Sequence, residues 1–395
     1  VVLCGFAAAV AAAWWTSRRL AAADDLQVTV VARRLDHPWA LAFLPDCRML
    51  VSLKAGRVAV LGADGHQAGE LRGLPPVVDD GQGGLMDLSL DPDFPRQPWL
   101  YWTYSEPGAG TERGLAGTAV ARGRLSWPGD SALPPTLQEV QVIYRQTPKV
   151  RGSGHFGARL AWDPAGWLFV SLGERQLDQP ATPGLDNAQN LTKSLGKIVR
   201  LTRTGQAAPG HPNWPLKPGA APLPEIWSLG HRNPQGLAWD ADTGRLWATE
   251  HGPQGGDELN LIHPGANYGW PLVSYGCPYG SPVGEACRVA GGVHRPPMVE
   301  PVSTWVPRSI APSGLAVYNG TRFPAWRGHL FLGALAGEAL WEVTLKGEQV
   351  AGRQAWLQGR HGRVRDVRQG PDGWLYVLTD GPDGQLLRVG PPLAR

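Results

Sequence analysis

Residues Gly157 to Glu174 read GARLAWDPAGWLFVSLGE. Apolar residues alternate with small or polar ones at a period near two, which puts one face of an extended segment inward. Asp163 and Pro164 interrupt the pattern. Asp favours reversal by bonding nearby backbone, and Pro by its fixed φ. The stretch therefore predicts two strands joined by a tight turn. The same phrase recurs at residues 38–61, 83–105, 234–252, 313–345 and 364–389. Six copies, unequally spaced with long insertions, predict an all-β fold, a six-bladed β-propeller with insertion loops lining a pocket at one end of the axis. A β-sandwich, or two packed all-β domains, is the alternative. The wide spacing favours the propeller, because insertions between its strands gather on one face around the axis.

Composition agrees with this architecture. Of 395 residues, 43% are hydrophobic and only 18% charged, which describes a globular chain and not a disordered one. The 52 glycines and 37 prolines argue for short strands and turns over long helices. The net charge of +3 is spread along the chain with no basic run, so nucleic acid is not an expected partner.

Residues 1–15 (VVLCGFAAAVAAAWW) are apolar but short for a membrane span. Ala21, Ala22 and Ala23 then offer small residues suited to signal-peptide cleavage. Residues 1–23 are expected to act as a signal peptide or N-terminal anchor, and 24–395 to form the propeller. An exported protein, periplasmic or extracellular, is the expectation, with anchoring as the minor outcome. Cys277 and Cys287 bracket a short loop that one disulfide could close. Cys47 is expected to be a small buried hydrophobe.

Polar clusters fall in the gaps between copies, where a propeller's functional loops belong. His155 lies in the glycine-rich loop RGSGHFG, immediately before the third copy. Gln82 lies in DDGQGG, His231, Arg232 and Asn233 in GHRNPQG, and Arg363 and Arg365 in HGRVRD. The last two alternate with Val364, so both guanidinium groups point to one face and could grip a carboxylate. The stretch EHGPQGGDELN is rich in oxygen ligands and glycine, which suits a hard cation such as calcium without being an EF-hand. Each cluster alone could be a solvated loop; at equivalent positions of four repeats they read as one pocket.

The phrases GQGGLMDLSLDPDF, GSGHFGARL, GHRNPQGLAWD, EHGPQGGDELNLI with GANYGWP, APSGLAVY and RVRDVRQGPDGWLYVLTD resemble the soluble aldose sugar dehydrogenases of the glucose/sorbosone dehydrogenase family. These are six-bladed propellers that bind pyrroloquinoline quinone (PQQ), and the resemblance runs from about residue 26 to 392. It implies PQQ- and calcium-dependent oxidation of an aldose at C1 to the lactone, with electrons passing to an external acceptor. His155 would be the general base and Glu174 the carboxylate that orients it, although some branches carry Asp there. Arg232, with Asn233 beside it, would polarise the quinone. Gln82, Arg363 and Arg365 match positions contacting the PQQ oxygens and carboxylates, and Trp305 and Tyr279 resemble aromatic neighbours of the cofactor. Carbonyls of Gly252 and Pro253 resemble those holding a calcium at PQQ, and Glu258 and Tyr268 those holding a second, structural calcium.

One position departs from the family. Ala336 stands where many relatives carry a lysine that contacts PQQ, and Arg308 is the candidate replacement. The alternatives are a non-catalytic propeller that binds carbohydrate or protein, which Ala336 favours, and a calcium-dependent lactonase. A lactonase would need carboxylates and Asn side chains converging on a central ion.

Overall fold

The computed structural model describes residues 26–127, 135–214 and 221–392. The expected leader, residues 1–23, lies outside them. Six four-stranded antiparallel sheets form the blades. The strands Pro38–Phe43, Leu85–Leu90, Gly157–Trp162, Pro234–Asp240, Pro312–Val317 and Val364–Gln369 begin them, and these six pack successively against one another around the axis. Each repeated phrase supplies at least the first two strands of one blade. In the third, Trp162 pairs with Leu168 and Leu160 with Val170 across the Asp163-Pro164 turn. Asp163 accepts from the main-chain N–H of Trp167 at 2.9 Å, which fixes that reversal.

The sixth blade is closed by the start of the chain. Gln27–Leu35 lies antiparallel to Gly384–Gly390, with Val28 opposite Val389 and Val30 opposite Leu387. Apolar clusters fill the spaces between successive blades, as where Trp102 and Leu100 meet Leu50 and Val60. Burial between blades explains why the inner strands are apolar on both faces.

The axis is polar and filled. Arg159 donates to Asp87 at 3.2 Å, to Asp366 at 2.9 Å and to the Gln235 carbonyl at 3.0 Å. Arg368 binds the same two carboxylates. Asp366 also accepts from the Leu41 N–H and Asp87 from the Leu160 N–H. First strands of five blades thus meet in one network.

Two long excursions, 173–196 in the third blade and 263–302 in the fourth, carry most of the pocket wall. Cys277 and Cys287 form a disulfide in the second. Cys47 corrects an expectation: it is exposed, not buried. It occupies a tight turn at φ 69°, with its N–H bonded to the Leu44 carbonyl, and this geometry turns its side chain outward. Among the described residues no helix is long and apolar enough to cross a membrane.

Candidate active site

His155 sits at the start of the third blade with φ 47°, a conformation that side chains with a Cβ rarely adopt. Arg175 and Gln176, which directly follow Glu174, are also left-handed at φ 68° and 58°. Such strain persists where surrounding contacts over-determine it. Here the contacts are identifiable. Gln82 accepts from the His155 N–H at 2.8 Å, and the His155 carbonyl accepts from the Arg175 N–H at 3.2 Å. The Arg175 guanidinium is buried, lies 3.6 Å from the Phe156 ring centroid, and donates to the carbonyls of Gly152, Gly154 and Ala116. It therefore pins the loop that presents the histidine.

The His155 ring meets Glu174 through Nδ1, 2.5 Å from Oε1. Both side chains are almost wholly buried. The other Glu174 oxygen accepts from the N–H groups of Leu177 and Asp178 at 2.6 and 2.8 Å. Burial, followed by the charges of Arg232 and Arg175, pushes the imidazole well below its ordinary pKa, so the ring rests neutral. Burial also raises the Glu174 carboxyl, against the opposing pull of these main-chain donors and Arg232. With Nδ1–H directed at the carboxylate, Nε2 is left with a free lone pair.

Arg232 completes this group. Its N–H donates to Glu250 at 2.8 Å and its Nη1 to the Gly252 carbonyl at 2.7 Å. His155, Glu174, Arg232, Pro253 and Tyr279 line one cavity of about 250 Å3. Trp270 also lines it, with the Arg232 guanidinium 5.1 Å from its ring centroid. Tyr279 is 72% exposed and stands at the rim.

Other expected site residues surround this cavity without lining it. Asn233 accepts from the Gly157 N–H at 3.1 Å. Arg363 and Arg365 do share a face: both donate to one oxygen of Asp380 at 3.1 Å, and Arg365 also donates to Gln235. Trp305 is placed elsewhere. It is buried between the fourth and fifth blades, edge-on to Trp341 at 5.9 Å, and forms no part of the pocket wall. Its edge-strand pairing with Asp257 directs it into that core. Ala336 is exposed, and its N–H bonds the Ile310 carbonyl, two residues from the exposed Arg308.

Sequence reading missed Trp270, Gln176, Asp178, Gln179 and Asp380. Trp270 was visible in ANYGWP as a large aromatic in a turn-rich insertion; the others carry no local signal.

The donor set bears on which ligands fit. Arg232 Nε, Arg365 Nε and Asn233 Nδ2 are buried with no protein partner. Arg232, the one of the three that lines the cavity, would find a partner in a ligand rich in acceptor oxygens, such as a quinone with carboxylates. The Gly252 and Pro253 carbonyls already accept from Arg232 and from Ser309 Oγ. Each retains a second lone pair, so they would hold a cation only together with oxygens of a ligand. Glu258 differs. It lies buried beside Glu250, with Asn260 donating to both at 3.0 and 2.9 Å while Asn260 Oδ1 is orphaned. Two carboxylates and a free amide oxygen fit a hard cation. The Tyr268 carbonyl nearby accepts from His294 at 3.1 Å.

Comparison with known proteins agrees with this geometry. The family model for glucose/sorbosone dehydrogenase matches residues 35–388. The chain is 43% identical over 374 residues to the aldose sugar dehydrogenase YliI of Escherichia coli, covering 94% of each chain. The crystal structure of the soluble aldose sugar dehydrogenase of E. coli in its apo-form superposes with a TM-score of 0.82 at 40% identity, covering 93% of this chain and all of that one. The PQQ-bound aldose sugar dehydrogenase of Streptomyces coelicolor superposes with a TM-score of 0.69 at 31% identity, covering 92% and 98%. The chain belongs to the glucose/sorbosone dehydrogenase family.

Proposed function

We propose that this enzyme oxidises aldose sugars at C1 to the lactone, using PQQ and calcium, with His155 as general base. The observation that carries the reading is the buried His155–Glu174 pair, opening on a cavity that Arg232 also lines. His155 Nε2 would take the proton of the anomeric hydroxyl, and Glu174 would stabilise the imidazolium through Nδ1–H. Arg232, fixed through Glu250 and the Gly252 carbonyl, would face negative charge as it develops. When bound, PQQ supplies the acceptor for the hydride leaving C1. Arg232, Asn233, Gln82, Arg363 and Arg365 would hold it, with Tyr279 at its edge.

Calcium is proposed at the Gly252 and Pro253 carbonyls with the cofactor's own oxygens, and at Glu258 with the Tyr268 carbonyl. Trp270 and Tyr279 offer apolar faces against which a sugar ring could lie. Export from the cytoplasm, and an external electron acceptor, complete the proposal.

The test is titration of the purified protein with PQQ in excess calcium, following the bound-quinone absorbance after glucose is added. Saturable binding followed by reduction is expected. His155→Ala should retain binding and lose about 10²–10⁴-fold in the rate of reduction. A rate within a few-fold of wild type would remove His155 as the base.

A further inference from the structure

Six large hydrophobic side chains are exposed among the described residues, and five of them, Leu272, Tyr279, Val283, Val293 and Val306, lie in or just after the fourth-blade insertion. Large apolar side chains exposed together mark a binding surface, and two of the five, Val283 and Val306, line one cavity. The sugar pocket explains only Tyr279, the one of the five that lines it. A second cavity, of about 230 Å3, lies beside that pocket and is lined by Tyr275, Cys277, Val283, Arg288, Val306 and Pro307 among others. The two cavities share a wall. Gln254 and Cys277 exchange main-chain hydrogen bonds of 3.0 and 2.9 Å, and both face the second cavity, while their neighbours Pro253 and Pro278 face the first.

We infer that the second cavity binds the oxidant of the reaction, and that this oxidant is a planar, uncharged quinoid molecule. The inference rests on the dehydrogenase reading above. Tyr275 offers an aromatic face whose plane is held by stacking on His294 at 5.9 Å and by a 3.0 Å bond from its hydroxyl to Glu300. Val283, Val306 and Pro307 supply apolar walls. The Arg288 guanidinium, 5.5 Å from the Tyr275 ring centroid, can donate to a quinone carbonyl. Among the described residues its ion-pair partner is Glu285, 3.4 Å away and 88% exposed, so the fork is not saturated. Beyond Tyr275, Arg288, Gln254 and Glu285 the lining is glycine or apolar. That suits a flat apolar ring better than a sugar or a phosphate, which needs polar partners all round. The step balances: the aldose loses its C1–H and O–H hydrogens with two electrons and becomes the lactone. The quinone gains two electrons and two protons and becomes the hydroquinone.

Duroquinone is the probe, and the full chain loaded with PQQ and calcium is the protein. Reduction by glucose alone and reoxidation by duroquinone are followed separately by stopped flow, in wild type, Val283→Trp and Arg288→Gln. Val283→Trp, which fills the cavity, should leave reduction by glucose unchanged and slow reoxidation by about 10-fold or more, equivalent to about 1.4 kcal/mol of lost binding. Arg288→Gln should raise the duroquinone KM without altering that for glucose. Quenching of tryptophan fluorescence by duroquinone, measured without PQQ, should saturate in wild type and not in Val283→Trp. Unchanged reoxidation and quenching in Val283→Trp would overturn the assignment, as would competition between duroquinone and glucose for one site. Failure of glucose to reduce the loaded protein would instead overturn the dehydrogenase reading, and the fluorescence titration would still decide the cavity.

Discussion

His155 takes its character from what surrounds it. Burial leads in pushing its imidazole well below the ordinary histidine range, with Arg232 and Arg175 adding to the shift. The proposed base works only while neutral, and a lowered pKa keeps it neutral further into acid. The acid limb of kcat/KM for sugar oxidation should therefore lie below pH 6.5, the ordinary imidazole value, and activity should fall only as pH drops beneath that limb. Glu174→Gln removes the anion that favours the imidazolium. It should cut kcat by about 10²-fold or more and move the limb lower still. A limb at or above 6.5 in wild type, or one that rises in Glu174→Gln, would contradict this account. The residue was legible in sequence because it falls in a gap just before a repeated phrase and within a motif of the resembled family. A histidine in a glycine-rich loop would not by itself single it out. The exposed side chain of Cys47 was not, since a cysteine after Pro-Asp carries no mark of left-handed backbone.

Among elements, the inner strands were legible and the outer ones were not. Leu168–Leu172 and Leu330–Ala334 are buried throughout and read as apolar runs. Gln349–Trp356 and Thr136–Arg145 lie at blade edges, about half exposed, and belong to no repeated phrase. The 173–196 excursion was equally silent, yet it is firmly built. Lys197, fully buried, donates to the carbonyls of Asn187, Ala188 and Leu195 at 3.0, 2.9 and 2.7 Å. Asp178 accepts from the N–H groups of Asn187 and Ala188, both at 2.7 Å, on the same turn. Lys197→Met would leave three buried carbonyls without a donor and should destabilise the fold by about 3 kcal/mol. The urea midpoint measures it, and a loss below about 1 kcal/mol would mean that water replaces the ammonium.

For the whole molecule, ring closure was the least legible feature. The strand Gln27–Leu35 belongs to no repeated phrase, and its partner Gly384–Gly390 lies at the other end of the chain, so no local pattern announces the pairing. The axial network is equally non-local: Arg159 and Asp366 stand 207 residues apart and touch at 2.9 Å. Such a group is stabilising only while complete. The buried Asp87, Asp366 and Arg159 are costly to desolvate and offset that cost by pairing with one another and with the half-buried Arg368. Arg159→Leu would leave Asp87 and Asp366 to Arg368 alone and remove the guanidinium lying 4.2 Å from the Trp39 ring. The expected loss is about 3–5 kcal/mol, because a buried charge then lacks its partner. Restoring neutrality should recover part of it, so Arg159→Leu combined with Asp87→Asn should lie closer to wild type than the sum of the single changes. Urea denaturation of the four proteins measures the coupling. Strict additivity would show that Arg159 contributes packing alone and that the blades do not depend on the axial charges to hold together.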